Sequence, residues 1–353
     1  MTVTDAVPRT SHRRGHTTVR SGFLALRINV RVLVLALIAL LCLAALGTWA
    51  MTLGSFHVPF VDVVKSVLGE GTRQSEFIVR TLRLPRVLCA VLVGAALAMS
   101  GAIFQGLVRN PLVSPDIIGI NAGATVVAVF WIVTGQDWSL LPLAAFAGAL
   151  LAAALIYLLT WKGGISGNRL ILVGIGLNAI LAAGTTFLMV RYPIEQVSSA
   201  QLWSTGTLYG SDGGDVRVLC VALLILTPAA IGLMWPLRIV QLGDDAARSI
   251  GLPLERTRLA LIVAGCGLAA VAVAVAGPIG FVALMTPHIA RMLAGPLSGS
   301  VMVFTALIGS LIVLAADTVG QHFLPVTLPV GVVTAAVGAP YFLFLLYRAN
   351  LRI

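Results

Sequence analysis

Charged residues are scarce in this 353-residue chain. Asp, Glu, Lys and Arg make up 10% of it, against about 25% in an ordinary soluble protein. Hydrophobic residues make up 59%. This composition excludes a soluble enzyme, a disordered chain and a small disulfide scaffold. It fits a polytopic membrane protein instead, because each membrane span needs about 20 mostly apolar residues.

Lysine is almost absent, since Lys65 and Lys162 are the only two in the chain. Neither completes the Gly-x-x-x-x-Gly-Lys-Ser/Thr loop that cradles nucleotide phosphates, and no Gly-x-Gly-x-x-Gly occurs. We therefore expect no ATP hydrolysis by this chain and no enzyme activity of its own. Uphill transport would need its motor in a separate subunit.

Few side chains could hold a metal or a proton inside the apolar runs. The cysteines are Cys42, Cys89, Cys220 and Cys266. They form no Cys-x-x-Cys pair, so we expect buried, reduced thiols and no metal site. Asp317 is the main ionisable residue within a predicted span, and we expect it at a helix end, within reach of water or a neighbouring donor.

Ten apolar runs are predicted to be membrane spans. They cover 32–53, 86–107, 117–135, 139–161, 169–190, 216–236, 258–276, 279–294, 300–319 and 328–347. Gly277-Pro278 interrupts a nearly continuous run, so the alternative is one kinked span there and nine in all. The fold prediction is an all-α polytopic membrane protein. A mobile basic arm over 1–31 would precede one transmembrane domain over 32–353.

Basic residues outnumber acidic ones by 23 to 13, for a formal net charge of +10. With the N-terminus inside, 16 of the 23 fall in segments predicted to be cytoplasmic and 7 fall outside. The bias predicts both termini in the cytoplasm and indicates topology, not nucleic-acid binding. A cleaved signal peptide is the alternative for the arm, but the run after Val32 is too long for a signal core. The exception to the bias is 54–86, an external segment with five cations.

A short cytoplasmic helix is predicted in the polar segment 238–258. Gly243-Asp244 resembles a helix start, with Asp244 able to cap it. Gly251 and Pro253 would end it. Such a helix could insert into a groove on another protein, and a solvated connecting loop is the equal alternative.

Several motifs then follow one another in a fixed order. They are Arg83-Leu-Pro-Arg86, Arg109-Asn-Pro-Leu112, the 242–251 segment, 276–291 and 328–340. Together they resemble the FecCD-type permeases, the membrane subunits of ABC importers for ferric siderophores, haem and cobalamin. The resemblance covers the chain from about residue 32 to its end.

The resemblance implies an assembly in the cytoplasmic membrane of a bacterium. This chain would pair with a second permease subunit, identical or related, around a central pathway. Two ATPase subunits would bind ATP and Mg, and an extracytoplasmic binding protein would deliver the cargo. The chain itself would bind no cofactor and no nucleic acid.

The resemblance also implies three groups of functional residues. The helix that contacts the ATPase would comprise Leu242, Gly243, Asp244, Ala246, Ala247, Arg248, Ser249 and Gly251. Arg83 and Arg86 would receive acidic residues of the binding protein, with lipid anchoring as the alternative role. The pathway and its inner turns would include Asn110, Leu112, Ser166, Gly167, Asn168, Gly174, Asn178, Gly331, Thr334 and Gly338.

The chain departs from the family pattern at three places. Residues 292–299 replace a usual Asp-His-Arg stretch, Gln321 replaces an arginine, and Thr327 replaces a glutamate. Loss of an external arginine favours a second, non-identical permease as partner. The functional prediction is the permease of a ferric siderophore importer. Haem or cobalamin import and, less favoured, an ion-coupled carrier are the alternatives, with an intramembrane enzyme ranked last.

Overall fold

The computed structural model describes residues 16–21, 24–161 and 167–350. The start of the predicted basic arm and the predicted turn residue Ser166 lie outside these ranges. Ahead of the first helix, β1 (His16–Ser21) and β2 (Leu24–Asn29) pair antiparallel, with His16 opposite Asn29. The sequence pattern predicted no strand in this segment.

Helices form most of the remaining described chain. In order they are α1 (Val30–Thr52), α2 (Phe60–Leu68), α3 (Arg73–Glu76), α4 (Leu84–Val108), α5 (Pro115–Ile118), α6 (Ile120–Val133), α7 (Leu141–Thr160), α8 (Gly167–Arg191), α9 (Ile194–Ser204), α10 (Gly213–Gly232), α11 (Met234–Gln241), α12 (Asp244–Ser249), α13 (Leu254–Ala276), α14 (Val282–Ala294), α15 (Gly299–His322) and α16 (Val330–Asn350). A π-helical segment over Phe77–Arg83 joins α3 to α4. The all-α architecture predicted for the membrane domain is confirmed.

Eight helical runs in the described part of the chain are long and apolar enough to cross a membrane. The predicted spans over 117–135 and 279–294 contain the shorter helices α6 and α14, of 14 and 13 residues. At about 1.5 Å per residue each rises about 20 Å, less than the ~30 Å hydrocarbon core. The count of ten spans is therefore approximate, because two of the ten are short helices.

Both short helices follow a break in the backbone. Gly119, at φ +97°, separates α5 from α6, and Phe281, at φ +65°, precedes α14. Helix α13 ends one residue before Gly277, where a Cβ would lie 2.4 Å from the carbonyl oxygen of Trp203. The helix is therefore interrupted between α13 and α14, and whether this region crosses the membrane once or twice stays a prediction. Non-helical backbone at membrane depth needs protein around it, because lipid offers no hydrogen-bond partner.

Helices α4 and α13 occupy the centre of the bundle. In each run, 72% of the most apolar stretch is buried inside the chain, against 17% in α8 and α10. A Cβ on Gly94 of α4 would lie 2.3 Å from the Gly309 carbonyl oxygen of α15. One on Gly101 would lie 1.8 Å from the Ala283 carbonyl oxygen of α14. The backbones touch at these positions, which is how small residues bring membrane helices together.

The four cysteines divide between the centre and the periphery. Cys89 and Cys266 are buried on α4 and α13, whereas Cys42 and Cys220 are exposed on α1 and α10. The expectation that all four are buried is therefore wrong for two of them. The outward faces of peripheral helices are apolar because they meet lipid, so an apolar sequence context does not show burial in protein.

Helix α4 runs between two ends of the bundle. Its N-terminus follows α2 and α3, and its C-terminus packs against α11, which leads into α12. We name these the α2 end and the α12 end.

We expect Gly94→Ala to destabilise the protein, because the added methyl group has no space between the α4 and α15 backbones. Overpacking of this kind costs about 1–3 kcal/mol. The measurement is the temperature at which the buried Cys89 and Cys266 thiols become reactive in detergent, with the two exposed cysteines replaced by serine. Gly232→Ala is the matched control, because nothing lies within 4 Å of a Cβ at that position. Equal labelling temperatures in the two variants would contradict the packing argument.

Candidate functional site

The segment predicted to contact an ATPase forms a short helix at the α12 end. Gly243, at φ +121°, precedes α12, and Gly251, at φ +79°, follows it, so both lie where glycine is favoured. Ala247 is buried in a small apolar cluster separate from the main core. The other buried members are Ile239, Val240 and Leu254. The predicted helix is present, and the alternative of a loop is excluded.

The face of α12 that points away from this cluster is uncovered in the described chain. Leu242 and Ile250 flank the helix with 71% and 58% of their surface exposed. Arg248 and Ser249 are exposed, and Ala246 is half-buried. Two apolar side chains and a cation are thus presented together, which suits a groove on another protein.

Asp244 does not cap α12 as the sequence predicted. Gly243 is the N-cap residue and makes no side-chain capping bond. Instead, Arg109 Nη2 donates to Asp244 Oδ1 at 2.9 Å, and Arg258 Nη2 donates to both carboxylate oxygens at 2.8 Å. Two guanidinium groups hold the carboxylate in place of a backbone N–H, because hydrogen bonds between charged groups are the stronger ones.

One of the two arginines that bind Asp244 also binds a second carboxylate. Arg258 also contacts Glu255 at 3.1 Å, so two arginines meet two carboxylates. Burial opposes ionisation of Asp244, but hydrogen bonds and charges of Arg258 and then Arg109 outweigh it and hold the pKa of Asp244 below its ordinary value. Asp244 is therefore ionised at neutral pH. We name Asp244, Arg109, Arg258 and Glu255 the α12 ion network.

Arg109 ends α4 in a left-handed backbone conformation, at φ +58°. This conformation costs a non-glycine residue roughly 1–2 kcal/mol. The chain then folds back in a tight turn, where Asn110 Oδ1 accepts from the Leu112 N–H at 2.9 Å. The predicted gate residues Asn110 and Leu112 thus lie in a self-bonded turn at the α12 end.

The second predicted inner turn lies beside the first. Gly167 begins α8, and a Cβ there would lie 3.3 Å from the Cα of Val108, the last residue of α4. Asn168 next to it is exposed. The structure therefore brings the segment after α4 and the start of α8 together.

The predicted pathway residues of α8 contact other helices of the same chain. A Cβ on Gly174 would lie 2.8 Å from the Ile118 carbonyl oxygen of α5. Asn178 Nδ2 donates to the Asp116 carbonyl at 3.2 Å. The exposed face of α8 carries other small residues, among them Gly176 and Ala179.

The predicted pathway residues of α16 are packed in the same way. A Cβ on Gly331 would lie 2.0 Å from the Thr205 carbonyl oxygen, and one on Gly338 would lie 2.2 Å from the Phe281 Cβ. Thr334 is buried and donates to the Gly331 carbonyl at 3.1 Å. These residues let α8 and α16 approach their neighbours closely, and their place on a transport pathway stays a prediction.

Arg83 lies at the α2 end, just before α4. Its Nη1 and Nη2 donate at 2.6 Å to the carbonyl oxygens of Met51 and Phe56. The side chain thereby fixes the segment after α1 against the start of α4. Both acceptors are neutral, so the positive charge of Arg83 meets no carboxylate at hydrogen-bond distance in the described chain.

Arg86 is held by a buried carboxylate on α15. Its Nε donates to Asp317 Oδ2 at 2.9 Å and its Nη2 to Oδ1 at 2.8 Å. The expectation that Asp317 meets a neighbouring donor is confirmed. The side-chain oxygen of Gln321, in the amide orientation that satisfies both of its ends, also accepts from Arg86. The charge of Arg86, unlike that of Arg83, is therefore neutralised within the chain.

Two polar clusters inside the bundle were missed by the sequence reasoning. Arg291 Nη2 donates to Gln105 Oε1 at 2.6 Å, and Gln105 Nε2 donates to the Leu284 carbonyl at 2.8 Å, which ties α4 to α14. Asn121 of α6 donates to the carboxylate of Asp116 of α5. Isolated polar residues in an apolar sequence are the only signal of such contacts.

The described residues contain no group of three or more His, Cys, Asp and Glu side chains that could hold a metal ion. Charged side chains bond to other segments at both ends of α4, in the α12 ion network at one end and through Arg83 and Arg86 at the other.

Comparison with known proteins gives relatives of nearly the same length. The chain is 44% identical to the probable siderophore transport system permease protein of Bacillus subtilis over 307 residues, 84% of this chain and 90% of that protein. It is 39% identical to the ferric enterobactin transport system permease protein of Escherichia coli over 325 residues, 92% and 98% of the two chains.

A solved structure has the same fold. It is described as an inward-facing conformation of a metal-chelate type ABC transporter, and it matches with a TM-score of 0.81 and 29% identity over 89% of this chain and 98% of that chain. The model of the FecCD transport family matches residues 36–348. This range contains the α12 ion network, Arg83 and Arg86. The chain is therefore a membrane permease subunit that belongs to the FecCD transport family.

Proposed function

We propose that this chain is the membrane-spanning permease of a binding-protein-dependent importer for ferric siderophores. The observation that carries the proposal is α12, a helix fixed by charged side chains on one side and uncovered on the other. Relatives named for siderophore and ferric enterobactin transport support the choice of cargo. The chain would work in a bacterial cytoplasmic membrane, with both termini inside.

The proposal places the motor outside this chain. Two ATPase subunits, which bind ATP and Mg, would contact α12 through its exposed face. A second permease, identical or related, would complete the pathway. The neutral residue Gln321, where the family usually has an arginine, favours a related rather than an identical partner.

The proposal also assigns binding-protein docking to Arg83 and Arg86 at the outer face. Arg83 would contribute more than Arg86, because its hydrogen bonds go to neutral carbonyls and its charge stays available. Asp317 already neutralises Arg86. A carboxylate of a binding protein would therefore gain more from approaching Arg83.

The assembly should accumulate iron only when ATP is supplied inside the compartment that holds the ATPase. The test uses proteoliposomes containing the complex purified with its ATPase and binding protein, and radiolabelled iron as ferric enterobactin, ferric citrate or a ferric hydroxamate. Haem and cobalamin are the comparison cargoes. Uphill uptake by this chain alone, abolished by a protonophore, would contradict the proposal and support an ion-coupled carrier.

We expect Ile250→Glu to weaken association with the ATPase about tenfold or more, because it places a charge in the contact while 58% of the residue is exposed in the described chain. Folding should be retained, because Ile250 is exposed and lies outside the buried core. Ile250→Val keeps the apolar contact and is the matched control. The measurement is the ATPase affinity of the purified permease in nanodiscs. Equal affinities for the two variants would show that α12 is not the contact.

We expect Arg83→Gln to slow association of the binding protein severalfold, with a smaller dependence on salt, because a charge at the rim of an interface acts mainly on encounter. Arg83→Lys should retain much of the rate, since it keeps the charge while losing the paired carbonyl bonds. Arg217→Gln, an exposed arginine at the start of α10, is the control. The association rates are measured with the permease complex immobilised on a sensor surface and the binding protein in solution. If Arg83→Lys is as slow as Arg83→Gln, the side chain acts through the loop and not through docking.

A further inference from the structure

Helix α12 is attached to the membrane bundle through two kinds of contact. Its buried residue Ala247 packs in a small apolar cluster with Ile239, Val240 and Leu254, which is separate from the main core. Its first residue, Asp244, carries ion pairs to two different helices, through Arg109 after α4 and Arg258 in α13. In the described chain, α12 makes no other ion pair.

Helix α4 meets the α11–α12 segment at two points. A Cβ on Gly106 would lie 2.8 Å from a methyl carbon of Leu237, so the last turn of α4 rests directly on α11. Three residues later, Arg109 reaches Asp244 at 2.9 Å. The first contact can only push α4, because it is a packing contact. The second can also pull it, because opposite charges resist separation.

The left-handed backbone of Arg109 gives its side chain this reach. The chain leaves the helical direction at this residue, at φ +58° and ψ +31°. Glycine or asparagine is the residue expected in that conformation. An arginine in its place points to a role of the side chain, because a strained conformation at such a position indicates function and not local preference.

The two arginines of the network have different surroundings. The Arg258 side chain is 10% exposed and is bound by Asp244 and Glu255. The Arg109 side chain is 41% exposed and, among the residues that the structure describes, is bound by Asp244 alone. Arg258 therefore fixes Asp244 to α13 whatever α4 does. Arg109 is the adjustable contact, since it has one partner in the described chain and more access to water.

We propose that Arg109 and Arg258 are positioning residues that transmit a displacement of α12 to α4 and α13 together, through the one carboxylate of Asp244. This inference rests on the proposed function and deepens it. A displacement of α12 by the ATPase would move α13 through Arg258 and draw the end of α4 through Arg109. Because α4 packs tightly on α14 and α15, the movement reaches the centre of the bundle.

Arg109→Gly is the informative variant. It removes the charge while keeping a residue that tolerates the left-handed conformation, so the turn should still form. The readout is iron transported per ATP hydrolysed by the complex in proteoliposomes, with radiolabelled ferric enterobactin, ferric citrate and a ferric hydroxamate as cargoes. We expect the iron transported per ATP to fall about fivefold, which is at the lower end of the factors by which one site typically affects another. ATPase content and the labelling temperature of Cys89 and Cys266 should be unchanged.

A double-mutant cycle separates coupling from general damage. Asp244→Asn removes the shared carboxylate, so adding Arg109→Gly to it should lower the ratio no further. Arg109→Lys should restore part of the ratio, because it returns a cation to Asp244. Arg256→Gln, an exposed arginine two residues from Arg258, is the matched control and should keep the wild-type ratio.

The outcomes distinguish this inference from the proposed function. A wild-type complex that transports no iron, with or without ATP, contradicts the proposed function. A working wild-type complex in which Arg109→Gly keeps the full ratio overturns the transmission role alone. The role is also overturned if the effects of Arg109→Gly and Asp244→Asn multiply, because the two residues would then act independently.

Discussion

The close packing of α4 is the constraint on which the rest of the structure depends. At Gly94 and Gly101 the helix touches the backbones of α15 and α14, leaving no space for a single methyl group. Lipid is as apolar as a leucine side chain, so membrane helices gain little by hiding apolar surface and must rely on such contacts. Because α4 has no free space beside α14 and α15, a displacement of α4 has to displace these helices as well. Whatever holds its two ends therefore acts on the whole bundle.

Both ends of α4 are held by arginines, and the middle carries none. At the α2 end Arg83 binds carbonyl groups and Arg86 binds the buried Asp317; at the α12 end Arg109 binds Asp244. A charge near a membrane helix end needs a partner or water, because burial without either is expensive. Apart from the Phe56 carbonyl, which lies between α1 and α2, these partners belong to other helices. Each ion pair is consequently also a link between segments far apart in sequence.

The long helices and α12 were readable from the sequence, while β1, β2 and the contacts between elements were not. The glycines that bracket α12 and the break after α13 follow from local backbone preferences, and both predictions are confirmed. Asp244 looked like a helix cap because the nearest donors in sequence are backbone N–H groups, but its partners lie 135 and 14 residues away. The same limit applies to Arg86 and Asp317, which are 231 residues apart. One sequence without its fold cannot show which distant charges meet.

The small residues of α8 and α16 pack against neighbouring segments on one face of each helix and leave the other face uncovered in the described chain. Neighbouring backbone or side-chain atoms fill the space next to Gly174, Gly331 and Gly338. The faces of α8 and α16 that carry these glycines are therefore covered within the chain. The opposite faces remain uncovered in the described chain and carry small or apolar residues, among them Ala179 and Ala336. Tight recognition of a metal chelate needs converging polar groups, and such a face offers few. A passage built from these faces would let its cargo leave readily, so selection of the chelate would have to come from a separate binding protein.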